Sequence, residues 1–306
     1  MIGAGLLLWR GADVLVDAAA RVAKGFGISD LVVGLTIVAM GTSAPELAVS
    51  TSAALDGQGP VALGNVVGSN IFNLGIVLGG AALLAPLKLN RTVVYRDGGF
   101  LVLSTLALFY FLNDGRLARS EAGIFCGAMA AYLLFLAIRR GQGDEEDDEV
   151  HEEDSEEHSR LVDAGKILLG IVMVIGGGKL LVTCAVALAM AAGMSAWLIS
   201  VTVVAAGTSA PEMVTTLSAV RSGHQGMAIG GLFGSDIFNV LLVLGVAGMV
   251  APLEGLGSYQ SSVLVMAGTV LATLILCQIR GGLARGGGSL VLIVALTRWV
   301  LDALGS

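Results

Sequence analysis

A long internal repeat constrains the fold of this chain more than any other feature of its sequence. Residues 39–79 align without a gap with residues 205–245, and 20 of the 41 aligned positions are identical. The identities cluster in two blocks, Gly-Thr-Ser-Ala-Pro-Glu and Gly-Ser-Xaa-Ile-Phe-Asn, with the same spacing between the blocks in both copies. Two unrelated apolar segments would not match in this way, so we expect two structurally equivalent halves.

The chain that carries this repeat is too apolar for a water-soluble domain. Hydrophobic residues make up 55% of its 306 residues, charged residues make up 13%, and the mean hydropathy is +0.86. Soluble proteins carry about a quarter charged residues. A bilayer core about 30 Å thick needs roughly 20 apolar residues per helix. Ten such runs are present, at residues 1–20, 29–55, 61–85, 93–112, 120–138, 163–188, 195–220, 226–251, 261–279 and 287–303. We therefore predict an all-α membrane protein with ten transmembrane helices.

The two copies of the repeat are expected to run in opposite directions through the membrane. The first copy starts on predicted helix 2 and the second on predicted helix 7, five crossings later. An odd number of crossings reverses the chain direction, and such inverted repeats are typical of secondary transporters, which bind substrate near the midplane between the repeats. We predict a first five-helix repeat over residues 1–140, an acidic linker over 141–160 and a second five-helix repeat over 161–306.

The charged residues indicate the orientation of the chain. Eleven of the 24 acidic residues lie between Asp144 and Glu157, and a segment this polar is expected to be a disordered, solvated tether. If the N-terminus is outside the cell, the predicted inner loops contain twelve basic residues and the outer loops contain two, Arg116 and Arg119. Basic residues concentrate in cytoplasmic loops. We therefore predict a multi-pass protein of the inner (plasma) membrane, with both termini outside and the linker in the cytosol.

Each copy of Gly-Thr-Ser-Ala-Pro-Glu is predicted to break the helix that contains it. Proline lacks an N–H group and its ring clashes with the carbonyl four residues earlier, so Pro45 and Pro211 should interrupt helices 2 and 7 near mid-membrane. The carbonyls of residues 39–42 and 205–208 would then lose their helical partners. Non-helical backbone at this depth is tolerated where it lines a polar cavity, and free carbonyl oxygens are suitable ligands for Ca²⁺ or Na⁺.

Glu46 and Glu212 directly follow the two breaks. An acidic residue at the centre of a spanning helix costs at least about 2.5–3.5 kcal/mol, and two facing carboxylates repel each other unless a cation lies between them. One doubly charged ion would balance both glutamates. Because Ca²⁺ takes about six to eight oxygen ligands, we expect neighbouring hydroxyl, amide and carbonyl groups to complete the site.

The hydroxyl and amide groups that could complete the site lie in both motifs of both halves. They belong to Thr42, Ser43, Ser69, Asn73, Thr208, Ser209, Ser235 and Asn239. The serine and the asparagine of each second motif are four residues apart and share one helix face. Asn70 and Asp236 also correspond between the halves but are expected on a different part of that face. There they would either line an access path or make a packing hydrogen bond.

These motifs resemble those of the cation/Ca²⁺ exchanger superfamily, particularly its prokaryotic Na⁺/Ca²⁺ exchangers. The resemblance covers essentially the whole chain, and Ser69 and Ser235 each follow the motif glutamate by 23 residues. It implies that the glutamates, hydroxyls and amides named above are ion ligands, together with the backbone carbonyls of Ala39 and Ala205. It also implies that Na⁺ and Ca²⁺ compete for shared ligands, and that helices 1 and 6 slide across nearly fixed broken helices to alternate access.

One residue departs from the pattern of some relatives. Archaeal and K⁺-dependent exchangers of the superfamily carry Asp where this chain has Asn239, so the resemblance argues against K⁺ co-transport. We predict a secondary active antiporter that exchanges Ca²⁺ for Na⁺ by alternating access. The alternative is a Ca²⁺/H⁺ antiporter in which Glu46 or Glu212 carries the proton, and a cation channel is less favoured.

An enzyme is the least favoured class for this sequence. No nucleophile–base pair and no histidine is predicted at membrane depth, although two carboxylates could in principle perform acid–base chemistry. We expect no cofactor and no nucleic-acid partner. The expected partners are the transported Ca²⁺ and Na⁺ ions and the lipid bilayer, and the chain is expected to function as a monomer.

Overall fold

The computed structural model describes residues 2–88, 93–139, 160–193 and 205–304, which form a predominantly helical protein. The predicted acidic linker, apart from its last residue, and the beginning of predicted helix 7 lie outside the described residues. The helices of the first half are α1 (Ile2–Phe26), α2 (Asp30–Val33), α3 (Ala39–Thr42), α4 (Ala44–Leu55), α5 (Gly59–Phe72), α6 (Gly79–Leu84), α7 (Gly99–Phe111) and α8 (Arg119–Arg139).

The described helices of the second half follow the same order, except that the counterpart of α2 lies outside the described residues. Its helices are α9 (Arg160–Ala191), α10 (Ala205–Thr208), α11 (Ala210–Arg221), α12 (Gln225–Phe238), α13 (Leu244–Val250), α14 (Gln260–Arg280) and α15 (Arg285–Leu304). Segments with π-helical geometry precede or follow several helices, at Gly34–Val38, Asn73–Leu78, Val93–Gly98 and Asn239–Val243. Short 3₁₀ turns cover Leu112–Asp114 and Gly257–Tyr259. Strand β1 (Leu87–Lys88) pairs antiparallel with β2 (Gly282–Leu283).

Six of the ten predicted spans are supported by the length and apolar character of the described helices. Five continuous stretches are long and apolar enough to cross a membrane: Gly59–Leu84, Arg119–Ile138, Leu161–Leu188, Gln225–Val250 and Gln260–Ile279. The pair Asp30–Thr42 and Ala44–Leu55, bent by 47°, provides a sixth. Helix α1 has 25 residues but carries three charged residues in its middle, and predicted helix 7 is described only from Ala205. The total of ten stays a prediction.

The connections between helices meet at two ends of the bundle. At the first end, His224 Nδ1 lies 2.6 Å from Asp30 Oδ2, and β1 pairs with β2. At the second end, the Leu117 amide donates to the Leu253 carbonyl at 2.8 Å. The continuous stretch Gln225–Val250 runs from the first end to the second. The described connections that we predict to be cytosolic thus share one end, and the described ones predicted to be outside share the other.

Burial separates two central helical stretches from the peripheral ones. Within its most apolar window, Gln225–Val250 is 89% buried and Gly59–Leu84 is 67% buried, whereas Leu161–Leu188 is only 22% buried. The peripheral helix α9 exposes apolar side chains such as Leu168 and Leu180. An exposed apolar surface of this extent marks an interaction surface, here the expected contact with lipid. The central stretches are those that carry Gly-Ser-Xaa-Ile-Phe-Asn.

Helices α1 and α9 pack closely along each other. A Cβ atom at Gly11 or at Gly177 would lie within 3 Å of backbone atoms of the other helix. Small residues allow such close approach between helices in membranes. At one end of the pair, Arg21 Nε lies 2.8 Å from Asp163 Oδ1. Close backbone packing and this ion pair together make α1 and α9 one structural unit.

A buried carboxylate connects the segment before α7 to α8. The Asp97 side chain is fully buried. It accepts hydrogen bonds from Arg96 Nε at 2.9 Å, Arg96 Nη2 at 3.0 Å and Tyr132 Oη at 3.0 Å. A buried carboxylate is unfavourable unless it is paired and hydrogen-bonded, so each of these donors should contribute to stability.

Replacing Tyr132 by phenylalanine is expected to lower the free energy of unfolding by about 1.5–3 kcal/mol, because a hydrogen bond to a buried charged group is lost. The stacked contact of its ring with Phe100, at 4.7 Å between centroids, would be retained. The control is Tyr110→Phe, whose side chain is exposed and should be replaced without effect. Denaturant unfolding of the purified variants measures both values, and equal stabilities would contradict the assignment.

Candidate functional site

The predicted helix breaks are present in both halves. Helix α3 ends at Thr42 and α4 begins at Ala44, and the intervening Ser43 has non-helical angles of φ −80° and ψ 2°. Ser209 has nearly the same angles, φ −88° and ψ 6°, between α10 and α11. The proline of each motif lies in the first turn of the following helix, where a missing N–H group is tolerated. In both halves the helix is therefore interrupted at the serine that precedes the proline by two residues.

The backbone at the first break is less open than we expected. The Ser43 amide donates to the Ala39 carbonyl at 3.0 Å, and the Thr42 hydroxyl also approaches that carbonyl at 3.4 Å. The prediction that the Ala39 carbonyl loses its helical partner is therefore wrong, because the helix continues to Thr42 before it breaks. Ala205, its counterpart, is the first residue of α10.

The two glutamates lie in the interior of the protein. Glu46 is 0% exposed and Glu212 is 1% exposed. Ser69 Oγ donates to Glu46 Oε1 at 3.3 Å, and Ser209 Oγ donates to the same oxygen at 3.4 Å. In the other half, Ser235 Oγ donates to Glu212 Oε1 at 3.0 Å. Because Ser209 belongs to the second half, the Glu46 carboxylate is held by both halves of the chain.

Ser235 links the glutamate of its own half to two residues of the other half. Because its hydroxyl proton is directed to Glu212, its oxygen accepts hydrogen bonds from Ser43 Oγ at 2.8 Å and from Asn73 Nδ2 at 3.5 Å. Hydrogen-bond networks of this kind fix side-chain positions in a buried polar site. The two repeats therefore meet at this serine.

The asparagines of the second motifs form hydrogen bonds between the two central helices. Asn73 Nδ2 donates to Asp236 Oδ1 at 3.0 Å, and Asn239 Nδ2 donates to Asn70 Oδ1 at the same distance. Asn70 Nδ2 in turn donates to the Asp236 carbonyl at 3.1 Å. Of the two alternatives expected for Asn70 and Asp236, an access path or a packing hydrogen bond, the structure has the hydrogen bond. Each side chain contacts the asparagine of the opposite half across the contact between the halves.

The predicted site residues are buried together with five oxygen atoms that accept no hydrogen bond from any described residue. These oxygens are Glu46 Oε2, Glu212 Oε2, Asp236 Oδ2, Asn73 Oδ1 and Asn239 Oδ1. Thr42, Ser43, Ser69, Thr208, Ser209 and Ser235 are buried as well. Buried polar atoms normally have partners, and oxygens without donors are suitable ligands for a hard cation.

No basic side chain neutralises these carboxylates in the described part of the chain. Hydrogen bonds to the Glu46 and Glu212 carboxylates come from serine hydroxyls, at 3.0–3.4 Å from one oxygen of each. Within the same residues, no three acidic, histidine or cysteine side chains lie close enough together to form a metal centre. A cation held here would therefore take many of its ligands from neutral oxygens, as the hydroxyl- and amide-rich motifs predict.

The site depends on a close approach between α12 and the first broken helix. A Cβ atom at Gly234 would lie 2.8 Å from Leu35 Cα, Leu35 O and Ala39 Cβ. A Cβ atom at Gly34 would lie 2.5 Å from the Met227 carbonyl oxygen. Glycine at these positions allows the backbones of the two halves to touch, which brings Ser235 within reach of Ser43.

Comparison with known proteins gives consistent matches over most of the chain. Residues 1–138 and 164–297 match the family described as sodium/calcium exchanger protein. The chain is 37% identical over 291 residues to the putative antiporter CaxA of Alkalimonas amylolytica, covering 93% of this chain and 90% of that protein. It is 34% identical over 285 residues to the sodium/calcium exchanger MaX1 of Methanosarcina acetivorans, covering 81% of each. The solved structure of the sodium-calcium exchanger NCX_Mj matches with a TM-score of 0.83 and 26% identity, over 96% of this chain and 94% of that chain.

Proposed function

Because the chain belongs to the sodium/calcium exchanger protein family, we propose that it is a secondary active antiporter that exchanges Ca²⁺ for Na⁺ across the inner membrane. The observation that carries this proposal is the pair of buried glutamates, one from each half, whose free oxygens have no basic partner among the described residues. The proposal includes two inverted five-helix repeats, extracellular termini, a cytosolic linker and action as a monomer.

The charge and the chemistry of the site favour a divalent cation. Two carboxylates contribute two negative charges, which one Ca²⁺ ion balances. The ion requires about six to eight oxygens, and the glutamate, serine, threonine and asparagine oxygens of the two motifs are of the required type. None of the ligands is a soft sulfur or an imidazole nitrogen, which transition metals prefer.

Competition between Na⁺ and Ca²⁺ follows from the same set of ligands. Both are hard cations that bind carboxylate, hydroxyl and carbonyl oxygens, so Na⁺ ions can occupy the positions that Ca²⁺ vacates. Exchange results when the site changes from facing one side of the membrane to facing the other only while an ion is bound. An ion that binds one open state better shifts the equilibrium between the two states by its differential affinity.

We propose that helix α9 alternates access to the two breaks. The Ile171 side chain packs against Gly41 of the first break, and the Val182 side chain packs against Gly207 of the second. The two contacts are separated by 182 − 171 = 11 residues, or about 16 Å along a helix. In the proposed mechanism the unit formed by α1 and α9 moves along the broken helices, so that one break becomes accessible as the other is covered.

The experiment that tests this function is uptake of radioactive Ca²⁺ by proteoliposomes. Vesicles loaded with Na⁺ are diluted into Na⁺-free buffer, and matched vesicles carry a pH gradient without Na⁺. We expect uptake that requires internal Na⁺ and is absent from protein-free vesicles. The buried glutamates, which no described base neutralises, are also compatible with proton binding, so uptake driven only by the pH gradient would identify a Ca²⁺/H⁺ antiporter. Uptake indifferent to both gradients would indicate a channel and exclude coupled exchange.

A further inference from the structure

Asp236 is a third buried carboxylate beside the two glutamates. It is 0% exposed, and Asn73 Nδ2 donates to its Oδ1 atom at 3.0 Å. Its Oδ2 atom accepts no hydrogen bond from a described residue. Two hydrogen bonds connect this carboxylate to Glu212 beyond Asn73, because Asn73 Nδ2 lies 3.5 Å from Ser235 Oγ and Ser235 Oγ donates to Glu212 Oε1 at 3.0 Å. A charge buried in this way needs a compensating positive group, and no described basic side chain supplies one.

Asn70, the equivalent residue of the first half, makes a hydrogen bond that Asp236 cannot make. Asn70 uses both ends of its amide: Oδ1 accepts from Asn239, and Nδ2 donates to the carbonyl of residue 236. The Asp236 Oδ1 atom reproduces the first of these bonds by accepting from Asn73. A carboxylate has no N–H group with which to reproduce the second bond. The Asp236 Oδ2 atom thus occupies the position equivalent to the Asn70 Nδ2 donor. A cation bound to Oδ2 would supply the positive charge that the carboxylate lacks there.

We propose that the Asp236 carboxylate is a ligand for a monovalent cation of the Na⁺ class, bound beside the position between the glutamates. The inference rests on the proposed function, because it assigns a further ligand to the same exchange site. Asn73 and Asn239, which hydrogen-bond within the same network, each present a free Oδ1 atom. One carboxylate and neutral amide oxygens carry a single negative charge, which matches a monovalent ion better than a divalent one.

The position of Asp236 supports a second ion and argues against a single centre with three carboxylates. In the described residues, no three acidic side chains come close enough together to hold one metal ion. Ser235 lies between the two positions, since its hydroxyl donates to Glu212 and accepts from Asn73. Two cations on either side of this hydroxyl would be separated by a polar group. A site that binds several Na⁺ ions in place of one Ca²⁺ needs such additional positions.

The test is an ion titration of Asp236→Asn, monitored by the thermal stability of the purified protein. The substitution removes one charge with almost no change in shape, and Asn70 shows that an amide fits the equivalent position. We expect the Na⁺ concentration for half-maximal stabilisation to rise at least about tenfold, which corresponds to about 1.4 kcal/mol. The Ca²⁺ midpoint should change less, because the glutamates remain. Glu254→Gln, at an exposed residue, is the control for charge removal.

The possible outcomes separate this inference from the proposed function. Selective weakening of Na⁺ binding, with unchanged stability in ion-free buffer, supports the assignment. An unchanged Na⁺ midpoint would overturn it, and so would equal weakening of both ions accompanied by lower ion-free stability, which indicates a structural role. If the asparagine variant does not fold, Asp236→Ser is titrated in the same way. If the native protein responds to neither ion, the proposed function itself fails, whereas a normal native response with an unaffected variant refutes only the role of Asp236.

Discussion

Replacing either Glu46 or Glu212 by glutamine is expected to abolish Na⁺-driven Ca²⁺ uptake. Each carboxylate is buried, and each has one oxygen without a hydrogen-bond donor among the described residues. Two unit charges 4 Å apart interact with about 4 kcal/mol at an effective dielectric constant of 20, and a doubly charged ion interacts more strongly still. Since about 1.4 kcal/mol is a tenfold change in affinity, we expect apparent Ca²⁺ affinity to fall by at least about three orders of magnitude, measured as uptake in proteoliposomes.

The same substitutions should leave the ion-free protein folded. The two carboxylates repel each other when no cation is present, so removing one charge relieves an unfavourable interaction. We expect the melting temperature without ions to stay constant or rise, while stabilisation by Ca²⁺ disappears. Glu254→Gln should behave like the native protein in both assays. Normal uptake by either buried variant would exclude that glutamate from the ion site, and a collapse of ion-free stability would indicate a structural role.

Replacing Gly234 by alanine is expected to have the next largest effect. The added Cβ would lie 2.8 Å from backbone atoms of Leu35, which cannot rotate away. Overpacking of this kind costs about 1–3 kcal/mol, and separating α12 from α3 would also displace Ser235 from Ser43. We expect both a lower melting temperature and loss of Ca²⁺ uptake.

The matched control for this substitution is Gly127→Ala on α8. Gly127 lies on an exposed face of a helix, and a Cβ there would meet no described atom within 4 Å. Alanine in a helix is more favourable than glycine by about 0.5–1 kcal/mol, so this variant should be as stable as the native protein or slightly more stable. If the two alanine variants behaved alike, the close contact at Gly234 would not be essential.

The parts of the site that could be predicted from the sequence are those that backbone chemistry and the repeat determine. Proline and its missing N–H group made the two breaks predictable, and the structure has them at Ser43 and Ser209. An acidic residue in the middle of an apolar span is unfavourable in contact with lipid, so the positions of Glu46 and Glu212 predicted that both side chains face away from the lipid, and the structure buries both. The resemblance to the exchanger superfamily is confirmed by the family match.

The contacts between the two halves could not be derived in the same way. The sequence places Asp236 three residues before Asn239 on one helix, but its partner Asn73 lies on the other central helix. Which side chains meet depends on how closely the helices cross, which Gly234 and its neighbours determine. Asn73 and Asn239 are also the first residues of π-helical segments, which alter the helical periodicity locally. No sequence pattern predicted these segments. Correspondence between the repeats was the available signal for Asp236, since Asn70 is its neutral equivalent.

The difference between Asn70 and Asp236 distinguishes this chain from a symmetric homodimer. In a symmetric dimer of separate identical chains, every residue occurs twice around the twofold axis, so the acidic residues near that axis come in even numbers. Here Glu46 and Glu212 are equivalent in the two copies of the repeat, whereas the equivalent of Asp236 is the neutral Asn70. A single chain with two unequal copies can therefore bury an odd number of negative charges at the contact between its halves, which a symmetric homodimer cannot.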